Sequence, residues 1–98
     1  MKNIKENDRV CAHILVSGRV QGVAFRYYAR NMAYQLGVGG WIKNLANGQV
    51  ELVVDGSKNS VNEMIEWCKQ GPRMAQVENV EVDWLPCSVE YSHFQVKM

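Results

Sequence analysis

Hydrophobic and polar positions alternate over residues 10–16: Val10, Ala12, Ile14 and Val16 fall on one side, Cys11, His13 and Leu15 on the other. Period-two alternation marks a strand with one buried face. Phe25, Ala29, Met32, Ala33 and Leu36 then recur at helical spacing, and Gly37 follows where a left-handed residue can end the helix. Residues 38–45 predict a second strand, weakened at its start by Gly39-Gly40. Asn47-Gly48 predicts a tight type I′ turn into a third strand over 49–55, with Val50, Leu52 and Val54 on one face. Ser60 and Glu63 have capping-box spacing ahead of Val61, Met64, Ile65 and Cys68, which predicts a helix over 61–69 stopped by Gly71-Pro72. Val80, Val82 and Trp84 alternate in a strand over 77–84, which Pro86 breaks. Phe94 and Val96 mark a short terminal strand over 93–97, or the far half of a broken fourth one. The order βαββαβ predicts an α+β, ferredoxin-like split β-α-β sandwich, an antiparallel sheet with both helices on one face. That architecture serves many functions, so it assigns none.

Composition adjusts this picture in small ways. The 98 residues suit one domain with a single core. Residues 1–9 read as a polar leader, and 10–98 as the domain. Net charge is +1 and the basic residues are scattered, so neither nucleic acid nor an anionic membrane is an expected partner. No stretch has the apolar length of a signal peptide core or a membrane span. Cys11, Cys68 and Cys87 are widely spaced, with no Cys-x-x-Cys, and the two histidines, His13 and His93, are far from one another, so no metal site is expected. Reduced thiols are the default reading; one disulfide is possible, but nothing selects a pair. A cytoplasmic protein without a cofactor is the expectation, taken as a monomer although the sequence is silent on oligomeric state. His13, alone on its strand face, reads as a packed or surface residue.

Chemistry concentrates in residues 18–26, Gly-Arg-Val-Gln-Gly-Val-Ala-Phe-Arg, between the first strand and the first helix. Glycines let the backbone approach a ligand, and a helix start offers N–H groups and positive potential. Arg26 adds a fork of donors that matches phosphate or carboxylate. The spacing fits neither the Walker nor the dinucleotide pattern. Taken alone, the segment reads as an anion loop or simply as a turn. Asn44, near the end of the second strand, offers an amide able to hold a water. Its reach to the loop depends on twist and register.

Together the two stretches resemble a known family. Gly-Arg-Val-Gln-Gly-Val-x-Phe-Arg, then Gly-Trp-Ile-Lys-Asn-Leu-x-Asn-Gly-x-Val-Glu beginning at Gly40, is similar to acylphosphatase. Gly71-Pro72-Arg73-Met74-Ala75-Gln76-Val77 and the closing Phe94-Gln95-Val96 extend the resemblance across nearly the whole chain. It implies the ferredoxin-like fold and hydrolysis of the carboxyl–phosphate bond of small acyl phosphates, with inorganic phosphate as product and competitive inhibitor. By motif position, Arg26 would bind the phosphoryl group and Asn44 would place the attacking water. Backbone N–H groups of Gln21, Gly22, Val23, Ala24 and Phe25 would cradle the phosphoryl oxygens. Ala24 stands where the family often has glycine or an aromatic residue, and Asn47 where aspartate is frequent. No histidine, cysteine or acid lies within either motif except Glu51, just past the turn. Direct in-line attack by water, with no phosphoenzyme and no metal, is the expected mechanism. The alternatives are a non-catalytic module that holds a phosphorylated ligand with the same loop and, third, single-stranded RNA recognition, which would need aromatics on the open sheet face.

Overall fold

The structure, a computed structural model, describes residues 8–98. Of the expected leader, residues 1–7 lie outside the described residues. Asp8 and Arg9 belong to the packed chain: the Asp8 carbonyl accepts a hydrogen bond from Lys58 N–H, 3.1 Å. Arg9 opens the first strand, β1 (Arg9–Arg19). Then come α1 (Phe25–Leu36), β2 (Gly39–Asn44), β3 (Val50–Ser57), α2 (Lys58–Gln70), β4 (Gln76–Leu85) and β5 (Phe94–Val96).

The strands form one sheet in the order β4-β1-β3-β2-β5. β1 is an interior strand, antiparallel to both β3 and β4. β5 is a strand in its own right. It lies on the opposite edge from β4 and pairs with β2 in parallel, so the sheet is mixed instead of wholly antiparallel. β2 is therefore an interior strand. Both helices pack on one face, where Ala12, Ile14 and Val16 of β1 meet Leu52 and Val54 of β3, Phe25, Ala29 and Ala33 of α1, and the Val61, Met64, Ile65 and Cys68 stripe of α2. Burying each large aliphatic side chain contributes about 1.5–3 kcal/mol, which makes this layer the main stabilising element.

Three local readings change. β1 continues past residue 16 through a bulge between Ser17 and Gly18 and pairs with β4 as far as Arg19. Gly18 sits at φ +120°, and a Cβ there would overlap the Gln76 carbonyl oxygen. This glycine serves strand packing and not the anion loop. The hairpin is not type I′, because Gly48 (φ +96°) is left-handed and Asn47 is not. The Gly48 N–H bonds back to the Leu45 carbonyl at 3.1 Å, closing a type I-sense turn whose next residue is left-handed. The second helix starts a turn earlier than its capping box suggests, because Ser57 is the cap and its Oγ accepts from Ser60 N–H at 3.2 Å.

The connection over 86–93 crosses the start of β1 to reach the far edge, and it is pinned along the way. Cys87 forms a disulfide with Cys11, with Cα atoms 5.4 Å apart. Those two thiols are therefore not the reduced pair expected by default. The Asp55 carboxylate accepts from Arg9 Nε and Nη2 (2.7 and 2.9 Å) and from Tyr91 N–H (3.1 Å), and Arg9 Nη2 also donates to the Val89 carbonyl. The Arg9 guanidinium holds the Asp55 carboxyl below the usual carboxylate range against the opposing effect of burial. The two sulfurs and the Asp55 carboxylate cluster within 4.8 Å, but the disulfide and Arg9 already occupy them. Cys68 is free and buried, and burial pushes its thiol up to about 12.

Candidate active site

At the other end of the sheet, β1 runs out into residues 20–24. Val20, Val23 and Phe25 turn their side chains into the core, and Phe25 packs edge-on against Trp67 with ring centroids 5.1 Å apart. Gly22 has φ +76°, and Ala24, the N-cap of α1, has φ +63° with no side-chain capping bond. The first-turn N–H groups of a helix have no acceptor within it, so this end of α1 presents donors and positive potential to the space above. Ala24 holds a left-handed conformation that costs an L-residue on the order of 1 kcal/mol and glycine much less.

Gln21 ties the loop down. Its Nε2 donates to the carbonyls of Leu45 and Gln49, both at 2.8 Å, joining the loop to the β2–β3 hairpin. Gln49 in turn donates to Ser17 Oγ at 2.9 Å. The register that sequence alone left open is thereby set. Asn44 is the last residue of β2, opposite Val50, and shares the helix-covered face with fully buried Ile42.

A cavity of about 320 Å³ results. Gln21, Gly22, Ala24 and Phe25 form one wall, and Arg26 and Arg30 line it from α1. Asn44 and Val96 close it from the sheet. The structure thus brings Arg26 and Asn44 into one space. The Asn44 Oδ1 is buried there with no hydrogen-bond partner from the protein. A buried, unpaired acceptor costs about 1–3 kcal/mol, and a donor supplied by a ligand or water would relieve it. Arg26 donates from one Nη to the Lys97 carbonyl at 2.9 Å, which fixes the direction of the guanidinium and leaves its other N–H groups for an anion. Val23, turned into the core, does not line the cavity.

No acidic side chain lines this cavity. Glu51 is turned to the opposite sheet face, 2.7 Å from His13 Nε2 and 3.9 Å from Lys43 Nζ, so it is not a base for this site. His13 is accounted for by the same pair. A larger cleft of about 790 Å³ lies between the end of α1 and the 86–93 connection, but its most buried charge, Asp55, is fully engaged with Arg9 and Tyr91. The smaller cavity is the one with free donors and an unpaired acceptor.

Three contributions escape the sequence. The Gln21 side chain fixes loop to hairpin, whereas the motif pointed only to its backbone. Val96 and the Lys97 carbonyl reach the site because β5 pairs in parallel with β2, which no local pattern announces. Arg30 lies one helical turn beyond Arg26, and the i, i+4 spacing was a usable signal.

Comparison with known proteins identifies the family. The sequence model of the family described as Acylphosphatase matches residues 12–96. A curated acylphosphatase of Chloroflexus aurantiacus is 52% identical over 77 residues, covering 79% of this chain and 84% of that one. The structure of an acylphosphatase from Coxiella burnetii superposes with a TM-score of 0.88 at 41% identity, covering 99% of this chain and 100% of that one. The acylphosphatase of Bacillus subtilis gives the same TM-score at 30% identity, with 91% and 99% covered. With a family match over most of its length and relatives this similar, the chain belongs to the acylphosphatase family.

Proposed function

We propose that the protein hydrolyses the carboxyl–phosphate bond of small acyl phosphates to a carboxylate and inorganic phosphate, with Arg26 and Asn44 as its working pair. The observation that carries the reading is the buried, partnerless Asn44 Oδ1 in the same cavity as Arg26 and the uncapped start of α1. In this reading the phosphoryl oxygens take hydrogen bonds from the free Arg26 N–H groups and from backbone N–H groups of Gln21, Gly22, Val23, Ala24 and Phe25. A water donates one hydrogen bond to Asn44 Oδ1, which aims its lone pair at phosphorus. The new P–O bond forms as the P–O bond to the acyl group breaks in line, and the acyl carboxylate departs with the bonding pair. A carboxylate is a good leaving group and needs little acid assistance. The water's proton passes to a phosphoryl oxygen, consistent with a cavity that holds no carboxylate or imidazole. Positioning and charge stabilisation supply the catalysis.

Assay of benzoyl phosphate hydrolysis, run with a chelator and with inorganic phosphate as inhibitor, tests the reading. The wild type turns over and phosphate competes. Asn44→Ala keeps its affinity for phosphate and loses most of kcat, whereas Arg26→Ala loses both. Phosphate binding without turnover by the wild type would favour the non-catalytic module instead.

The finer reading is a cytoplasmic monomer whose partners are the small-molecule acyl phosphate and its product, with neither nucleic acid nor membrane. The near-neutral net charge supports it, and among the described residues no helix is long and apolar enough to cross a membrane. The Cys11–Cys87 disulfide argues the other way, because reducing compartments keep thiols reduced. Alkylation of the protein at cell lysis separates the two: three blocked cysteines indicate a reducing home, one blocked cysteine an oxidising one.

A further inference from the structure

Arg30 has no role in the chemistry just described, yet it lines the same cavity as Arg26. It lies four residues on along α1, so its Cα stands about one helical turn, ~5.4 Å, further from the loop. Its guanidinium rests over the Tyr27 ring, 5.8 Å from the centroid. Among the described residues it enters no ion pair, while Arg9, Lys43 and Lys69 each find a carboxylate. Arg30 also borders the larger cleft, so it marks the route by which anything attached to the phosphoryl group leaves the cradle. The cavity wall carries two positive charges and no negative one. The phosphoryl group meets Arg26 and the loop N–H groups, which leaves the second cation facing the organic half of the substrate.

We propose that Arg30 is a specificity-determining residue that selects acyl phosphates whose organic part bears a second negative group, such as the monoacyl phosphate of a four-carbon dicarboxylic acid. This rests on the function proposed above and names the substrate class for that site. The far carboxylate of such an acyl group lies about one helical turn from its phosphoryl group, which matches the offset of Arg30 from Arg26. Planar bidentate pairing suits arginine better than lysine. The pair forms at an exposed rim, so it acts through binding, is screened by salt, and discriminates modestly.

The test compares succinyl phosphate with butyryl phosphate, which has the same carbon count and a neutral end. The wild type prefers succinyl phosphate in kcat/KM. In Arg30→Gln that preference falls roughly three- to tenfold, through a higher KM for succinyl phosphate and not through kcat. Arg30→Lys retains part of it and Arg30→Glu inverts it. Raising ionic strength erodes the preference in the wild type and not in Arg30→Gln. If the ratio of the two substrates is the same in the wild type, Arg30→Gln and Arg30→Glu while butyryl phosphate is hydrolysed, the role of Arg30 is overturned and the acylphosphatase reading stands. If the wild type hydrolyses neither substrate, the acylphosphatase reading fails and the role of Arg30 fails with it.

Discussion

The two ends of the long interior strand β1 are built on opposite principles. At its start a disulfide, a bidentate ion pair and a donated backbone N–H converge on Cys11, Arg9 and Asp55, and the buried carboxylate is fully engaged. At its far end lie an uncapped helix, a left-handed alanine and a buried carbonyl oxygen with no partner. One end has spent its hydrogen-bonding capacity on the fold. The other holds capacity in reserve, which a phosphoryl group and a water can use. Such local inconsistency is what a binding site looks like when it is read against an otherwise satisfied fold.

Four changes break or sharpen this contrast. Arg26→Ala, at the unsatisfied end, lowers kcat/KM for benzoyl phosphate on the order of 10³-fold, since a clamp on transition-state charge is lost. Its melting temperature moves by no more than about 5 °C, because only one exposed hydrogen bond goes with it. Cys87→Ser, at the satisfied end, does the reverse. A bridge between residues 76 apart in sequence restricts the unfolded chain strongly, so its loss costs about 2–4 kcal/mol. Denaturant titration reads that loss, while kcat at 25 °C stays close to wild type.

The third change is pH. The Asp55 pKa is depressed below its ordinary value of 3.8, so its contribution to stability is fully present above that value and is lost as pH falls through the lower folded-state value. Melting curves from pH 6 downward should therefore show the advantage of wild type over Asp55→Asn shrinking below about pH 4. The smallest effect is Ala24→Gly. Relief of the left-handed strain and the added freedom of the unfolded chain oppose each other, so stability changes by at most about 1 kcal/mol by thermal melting.

How much of this was legible in the sequence depends on the range of the interaction that decides each feature. The β1 core face, the α1 stripe from Phe25 to Leu36 and the glycine after it follow from side-chain period and local backbone preference, and they stand as read. The type I′ turn was misjudged because Asn47-Gly48 fits two hairpin geometries. The longer loop is held by Gln21 and by Asn47 Oδ1 accepting from Gln49 N–H, and the first of these comes from a different segment. The helix cap moved from Ser60 to Ser57 because β3 runs directly into α2, leaving both serines near the junction. The parallel strand β5 and the pairing of Cys11 with Cys87 rest on contacts about 50 to 80 residues apart, which no window along the chain contains. At the site, the motif named Arg26 and Asn44. The geometry that brings them together came from the Gln21 staple and the β2–β3 register.

β5 spans both ends. Its approach is fixed where the His93 carbonyl accepts from Gly40 N–H at 2.9 Å, and its exit is where the Lys97 N–H donates to the Ile42 carbonyl and the Lys97 carbonyl receives Arg26. Met98 therefore lies close to the cavity, whereas Asp8 and Arg9 lie at the opposite end of the sheet. For anyone placing an affinity tag, a fluorophore or a surface linker on this protein, the carboxyl terminus is the side that brings the added group to the Arg26 cavity.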